Sequence, residues 1–125
     1  MQVTIKELRT LIPTIGTELT PIIQSEAGCG KTSLLYMMEQ DLGDKYDYVY
    51  VDCPVKDMSD IAMTIPNHDT QSLMNYIGSI FKMGSLKPKV ILLDEFMKAP
   101  KMLQVIFTRL MLERCIGDTK LPEGS

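Results

Sequence analysis

The chain has 125 residues, 45% of them hydrophobic and 23% charged, with 13 Lys and Arg against 16 Asp and Glu for a formal charge of −3. That length and apolar share suit one globular unit with a core, and exclude a disordered tail. The acidic balance gives no electrostatic footprint for non-specific nucleic-acid binding.

Residues 4–12 place Ile5, Leu8 and Ile12 at helical spacing behind a T-x-x-E capping box made by Thr4 and Glu7, and Pro13 and Gly16 are expected to end that helix. A first strand is expected over 20–24. A glycine-rich turn comes next, and then a helix over 31–42 with Leu34, Leu35, Met38 and Leu42 inward, stopped by Gly43. Tyr46 to Val51 is aromatic and β-branched, which predicts a second strand ended by Asp52, Cys53 and Pro54. Residues 54–69 read as loop with a short apolar insertion, Ile61 to Ile65, and His68 falls in a polar turn. A helix is expected from about 70 to 83 on the spacing of Leu73, Ile77, Ile80 and Phe81. Lys82, Lys87 and Lys89 read as a solvated loop group. Residues 89–94 predict a strand buried on both faces, and Pro100 opens a last helix running to about Arg114. Gly117-Asp118 reads as a turn. Strands alternating with helices imply a parallel α/β sheet with flanking helices in a three-layer αβα arrangement, within a single domain spanning 1–125.

Two motifs carry chemistry. Ser25-Glu26-Ala27-Gly28-Cys29-Gly30-Lys31-Thr32, with Ser33 after it, sits where a strand should give way to a helix. Glycines at 28 and 30 let successive backbone N–H groups converge on one anion, and the new helix adds the positive end of its dipole. Lys31 would then reach the β- and γ-phosphates, and the Thr32 hydroxyl would ligate Mg²⁺. The competing reading is a glycine turn whose helix is merely capped by Thr32 or Ser33. The second motif is Val90-Ile91-Leu92-Leu93-Asp94-Glu95. Ligands in open α/β sheets bind beyond the carboxyl ends of strands, which puts Asp94 on the same edge as the glycine turn, suited to a metal site. Glu95 has left the regular strand and could turn toward a γ-phosphate to polarise water. An apolar strand ending in a solvated acidic turn is the plainer alternative.

Cys29, Cys53 and Cys115 are widely spaced with no C-x-x-C pair, which argues against a disulfide framework or zinc site and for a reducing compartment, the cytoplasm. Cys29 reads as a small loop residue. No membrane span or signal-peptide pattern is evident in the sequence.

Taken together, these residues resemble a P-loop NTPase of the AAA+ class, most closely the MoxR-like ATPases and their short bacteriophage-type members. The resemblance rests on residues 25–32 and on Leu93-Asp94-Glu95-Phe96-Met97-Lys98-Ala99-Pro100-Lys101 running into Met102-Leu103-Gln104, with Leu112 to Gly117 and Lys120-Leu121-Pro122 similar to the family's next segment. It implies residues 25–33 as the nucleotide-binding loop, Lys31 on phosphate, Thr32 and Asp94 at the metal, and Glu95 as the water-activating base. Ser25 stands where the family has glycine, and Ala27 where it commonly has proline. The family also has two further strands after the acidic one, a sensor residue, an arginine finger and a helical lid. The resemblance therefore implies the N-terminal part of an AAA+ core, with 20–24 and 89–94 facing each other across an unfilled slot.

The expected function is Mg²⁺-dependent ATP binding and hydrolysis to ADP, in a homo-oligomer or ring of partner subunits acting on a protein substrate. ATP is expected over GTP because no Asn-Lys-x-Asp segment is present. A nucleotide-binding assembly module with little turnover is the alternative. A nucleic-acid-handling motor is a third, disfavoured by the acidity. Arg109 and Arg114, the only arginines after the acidic strand, read as helix-surface charges or as a finger. The Ile61–Ile65 stretch reads as a buried loop anchor or as a substrate-facing loop in a ring pore.

Overall fold

The computed structural model describes residues 4–24, 31–117 and 119–125, without the side chains of Ile5 and Lys31. Asp118 therefore lies outside the described residues, as does most of the glycine turn. Helix α1 (Ile5–Ile15) starts at Thr4, whose hydroxyl accepts from the Glu7 N–H at 3.2 Å. The helix does not stop at Pro13. It runs on to Ile15, because a proline in the last turn removes only its own donor, and the Gly16 N–H closes the end on the Ile12 carbonyl at 2.7 Å. Helix α2 (Lys31–Leu42) comes next and breaks at Gly43, where φ is +68°. Arg9 clamps the two helices by a fork onto Asp41, with bonds of 2.8 and 2.6 Å.

Strands β1 (Asp47–Asp52) and β4 (Lys89–Asp94) pair in parallel, with Asp47 opposite Lys89 and Asp52 opposite Asp94. Side chains alternate across this ribbon, so each face buries a different set. Val49, Val51, Ile91 and Leu93 pack with Phe81, Leu103 and Phe107 on one side. Tyr48 and Val90 pack with Leu8, Leu34 and Met38 of α1 and α2 on the other. The first side is closed by α4 (Lys101–Glu113), whose Leu103, Phe107 and Leu110 recur at core-facing helical spacing. A short hairpin, β5 (Cys115–Ile116) and β6 (Thr119–Lys120), returns the chain so that Ile116 and Leu121 join the same core.

Several expectations change here. Residues 21–24 are not a strand: they carry no regular secondary structure, and Ile23 simply packs beside Leu34 and Met38. The reason is a missing neighbour. The Asp47 N–H donates to the Pro88 carbonyl, a register that turns the Ile91 and Leu93 amides away from β1. Among the described residues these groups on the outer edge of β4 meet no backbone partner, and 21–24 do not pair with it. The structure thus shows a mixed α/β protein with a two-stranded parallel sheet and separate small antiparallel pairs.

Residues 70–83 are not a helix either, and 54–69 are not loop. A four-residue helix, α3 (Met58–Ile61), capped by Asp57, leads into a hairpin of β2 (Ala62–Asn67) and β3 (Ser72–Ile77). The Asn67 side chain accepts from the Asp69 and Thr70 amides and Gln71 adopts φ +53°, so a tight turn wins over the helical spacing. Gly78 then passes against α3, where an added Cβ would lie 1.9 Å from the Asp60 carbonyl oxygen. Ile61 is buried, but Met63 and Ile65 are exposed, so only the first residue of Ile61–Ile65 is an anchor.

Lys89 is not a solvated lysine. Its side chain is fully buried, and its ammonium donates to Asp47 at 2.6 Å and to the Ser85 carbonyl at 3.1 Å. That bond, together with a weaker contribution from Ser85, holds the Asp47 carboxyl below its ordinary value. A depressed native pKa stabilises the fold fully above the unfolded value, near 3.8, and is lost as pH falls through the native one. Asp47→Asn is therefore expected to lower the urea midpoint at neutral pH and to flatten its fall between about pH 5 and about pH 2.

Candidate functional site

The carboxyl ends of β1 and β4 build the site. In register, Tyr50 lies opposite Leu92 and Asp52 opposite Asp94, and the even-numbered residues of both strands share the face covered by α2. Thr32 stands in the first turn of that helix and is exposed. From two residue pairs below, the Tyr50 hydroxyl reaches up and donates to Asp94 Oδ2 at 2.6 Å. The phenol pKa is raised, first by that bond to the carboxylate and then by burial, while hydrogen bonding with Thr32 acts in the opposite direction. The Tyr50 hydroxyl thus holds the Asp94 carboxylate at the end of the face covered by α2, the helix that carries Thr32 in its first turn.

Glu95 leaves the strand as expected. Its φ of +54° is left-handed, a conformation that costs a non-glycine residue about 1–2 kcal/mol. Its carboxylate pairs with Lys98 at 3.3 Å across an exposed 3₁₀ turn, Phe96–Lys98. Cys53, directly after β1, is completely buried, and its thiol is pushed up to about 11 by burial, then by the charges of Asp52 and Asp94. This cysteine is inert at neutral pH. It also reports how negative the strand ends are.

Ser25, Glu26, Ala27, Gly28, Cys29 and Gly30, together with the side chain of Lys31, lie outside the described residues. Ser33 is exposed in the first turn of α2 beside Thr32. Of the remaining assigned residues, Thr32 lies in the first turn of α2, Asp94 ends β4 on the face that α2 covers, and Glu95 follows Asp94 along the chain. Arg109 and Arg114 are engaged internally. Arg109 bonds Glu113 and the Gly117 carbonyl, both at 2.6 Å, and Arg114 reaches the Gly16 carbonyl at 2.8 Å. A shallow groove of about 560 Å³ on the outer face of α4 lies away from Thr32, Asp94 and Glu95.

Tyr50 is the residue sequence reasoning passed over. Its signal was present: in Tyr46-Asp-Tyr-Val-Tyr-Val every second residue is aromatic, which puts Tyr48 and Tyr50 on one face. Which face, and opposite what, required the register.

Among the described residues no cluster of three or more His, Cys, Asp or Glu side chains could hold a metal by itself. The donor set present is a hydroxyl and a carboxylate. That fits Mg²⁺, which is commonly held by one or two protein oxygens with phosphates and waters supplying the rest. Among the described residues no helix is long and apolar enough to cross a membrane. No protein-family model, curated protein or solved structure matches the chain.

Proposed function

We propose that the chain binds ATP with Mg²⁺ and hydrolyses it to ADP and phosphate, as the nucleotide-binding part of a MoxR-like AAA+ motor or remodelling ATPase. The observation that carries this reading is the placing of Asp94, bonded by Tyr50, at the carboxyl end of a parallel strand pair on the face covered by the helix that Thr32 opens. On this reading the first turn of α2 and the acidic end of β4 serve one ligand.

In this pocket Lys31 offers its ammonium to the β- and γ-phosphates, and the backbone of Ser25 to Gly30 offers N–H donors. Thr32 and Asp94 are the oxygens that would hold the metal, which when bound neutralises charge on the phosphates. Glu95, exposed beyond the strand end, takes a proton from the attacking water. Phosphoryl transfer asks mainly for positioning and charge stabilisation, and these residue types supply both. Asp52 adds negative charge beside Asp94 and makes the strand ends more attractive to a cation.

The Glu95–Lys98 ion pair favours a second reading, a nucleotide-binding assembly module with little turnover, because the carboxylate proposed as the base is already engaged by a lysine ammonium. The hairpin supports a protein partner in either case. Met63, Ile65, Met74 and Tyr76 alternate onto one of its faces and are all at least two-fifths exposed.

Calorimetric titration of ATP with Mg²⁺ tests the reading. Saturable heat that disappears in Lys31→Ala is the expected result. Equal heat in both proteins, or none in either, would refute nucleotide binding at this site.

A further inference from the structure

We infer that the outer face of α4 is a self-association surface, on which a second copy of this chain packs its own α4 antiparallel. This face is independent of the nucleotide reading, since its groove lies away from Thr32, Asp94 and Glu95. Leu103, Phe107 and Leu110 turn one side of α4 into the core. Lys101, Val105, Thr108 and Leu112 lie on the opposite side, are all exposed, and line the groove of about 560 Å³. Their spacing of four, three and four residues is that of an a/d seam, the pattern by which one helix receives another. Val105 and Leu112 are 71% and 78% exposed. Between them the Thr108 hydroxyl is spent on the Gln104 carbonyl at 2.7 Å, so the middle of the row asks for no polar partner. A helix already buried on one side has no structural use for a second apolar row at this spacing.

Charge identifies the occupant. Lys101 stands at the N-terminal end of the row and Glu113 at the C-terminal end, and both line the groove. Among the described residues Lys101 has no ion pair, while Glu113 is bonded by Arg109 and keeps more than half of its side chain exposed. Set two copies antiparallel about a two-fold axis midway between Val105 and Thr108. Each Val105 then meets Thr108 of the other copy. Each Lys101 meets the other copy's Leu112 and Glu113, with its stem over the leucine and its ammonium toward the carboxylate. A parallel pairing would instead set lysine against lysine and glutamate against glutamate. The face is complementary to itself in one direction only. A single 13-residue helix makes a small contact, at the weak end of the range for protein interfaces, so the pair should form and dissolve with concentration. A two-fold contact also closes at two copies, unlike the head-to-tail contacts of a ring.

Sedimentation equilibrium at rising protein concentration, without nucleotide, is the test. The expected result is a weight-average mass that climbs from 14.1 kDa toward twice that value. Lys101→Glu and Glu113→Lys should each weaken association about tenfold, because each turns two attractions per dimer into repulsions. The double variant Lys101→Glu/Glu113→Lys should recover the parental affinity. Each change puts a charge at the helix end whose dipole favours it, so α4 should stay folded, and a circular-dichroism melt checks this. A parent that stays at 14.1 kDa throughout overturns the inference and leaves the groove to a different protein. Association that neither single variant weakens, or that both weaken and the double variant does not recover, overturns it as well.

Discussion

Glu95→Gln is expected to reduce single-turnover phosphate release from ATP by about 10²–10⁴-fold, the range lost when a positioned general base is removed. Affinity for ATP with Mg²⁺ should survive, since the amide keeps the shape of the side chain and Lys31, Thr32 and Asp94 remain. The substitution leaves the backbone at φ +54°, so the fold should be unaffected. Glu95→Gly offers a contrast that separates mechanism from folding. Glycine adopts left-handed φ without a Cβ penalty, so that variant should melt at a higher temperature while losing release to the same extent. Should Glu95→Gln release phosphate at the parental rate, the base lies elsewhere. Should the parent itself bind ATP and release nothing, the assembly-module reading is the correct one.

The second large effect is on stability. Phe107 is fully buried in α4 and packs in the cluster that also holds Val49, Val51, Phe81 and Leu103. Phe107→Ala removes its transfer free energy and leaves a cavity, an expected loss of about 3–5 kcal/mol. Against a total of about 5–15 kcal/mol for a small domain, this takes away a large fraction of the fold. A urea melt monitored by circular dichroism checks it. A loss under about 1 kcal/mol would mean that the core collapses around the site, or that α4 does not pack against these strands. The effect should reach the pocket, because Leu93 immediately precedes Asp94 and leans on the same cluster.

Legibility in the sequence tracked how local the deciding interaction was. Helices over 31–42 and 101–113 were readable because one stripe of apolar residues, interrupted at a glycine or opened after a proline, is enough to define a helix. The strand at 89–94 was readable as a continuous apolar run, and Glu95 as the residue that breaks from it. By contrast, β3 carries apolar residues at helical spacing, and only its antiparallel neighbour Ala62–Asn67 and the side-chain turn at Asn67 decide for a strand. Residues 21–24 look like a strand for the opposite reason. Their composition is suitable, but they pair with no described strand, and the outer edge of β4 stays open. Lys89 reads as a surface charge until register places Asp47 across from it.

At the candidate site the same division holds. Thr32 and Asp94 were chosen on motif chemistry, and the structure puts the first in the opening turn of α2 and the second at the end of β4, on the face that α2 covers. Tyr50 depends on a cross-strand register and a two-residue offset, which a linear pattern does not contain. The proposed nucleotide loop, Ser25 to Gly30, lies outside the described residues, so that proposal stands on composition and on its position immediately before α2.

The claim on which all of this depends is that the start of α2 and the end of β4 surround the same bound metal nucleotide. Paramagnetic broadening by ADP with Mn²⁺, read in the amide spectrum of the labelled protein, addresses it directly. The Thr32 and Asp94 signals should vanish together at substoichiometric metal, while those of the hairpin turn at 68–71 persist. Loss of one without the other, or uniform broadening across the chain, would contradict a shared metal site.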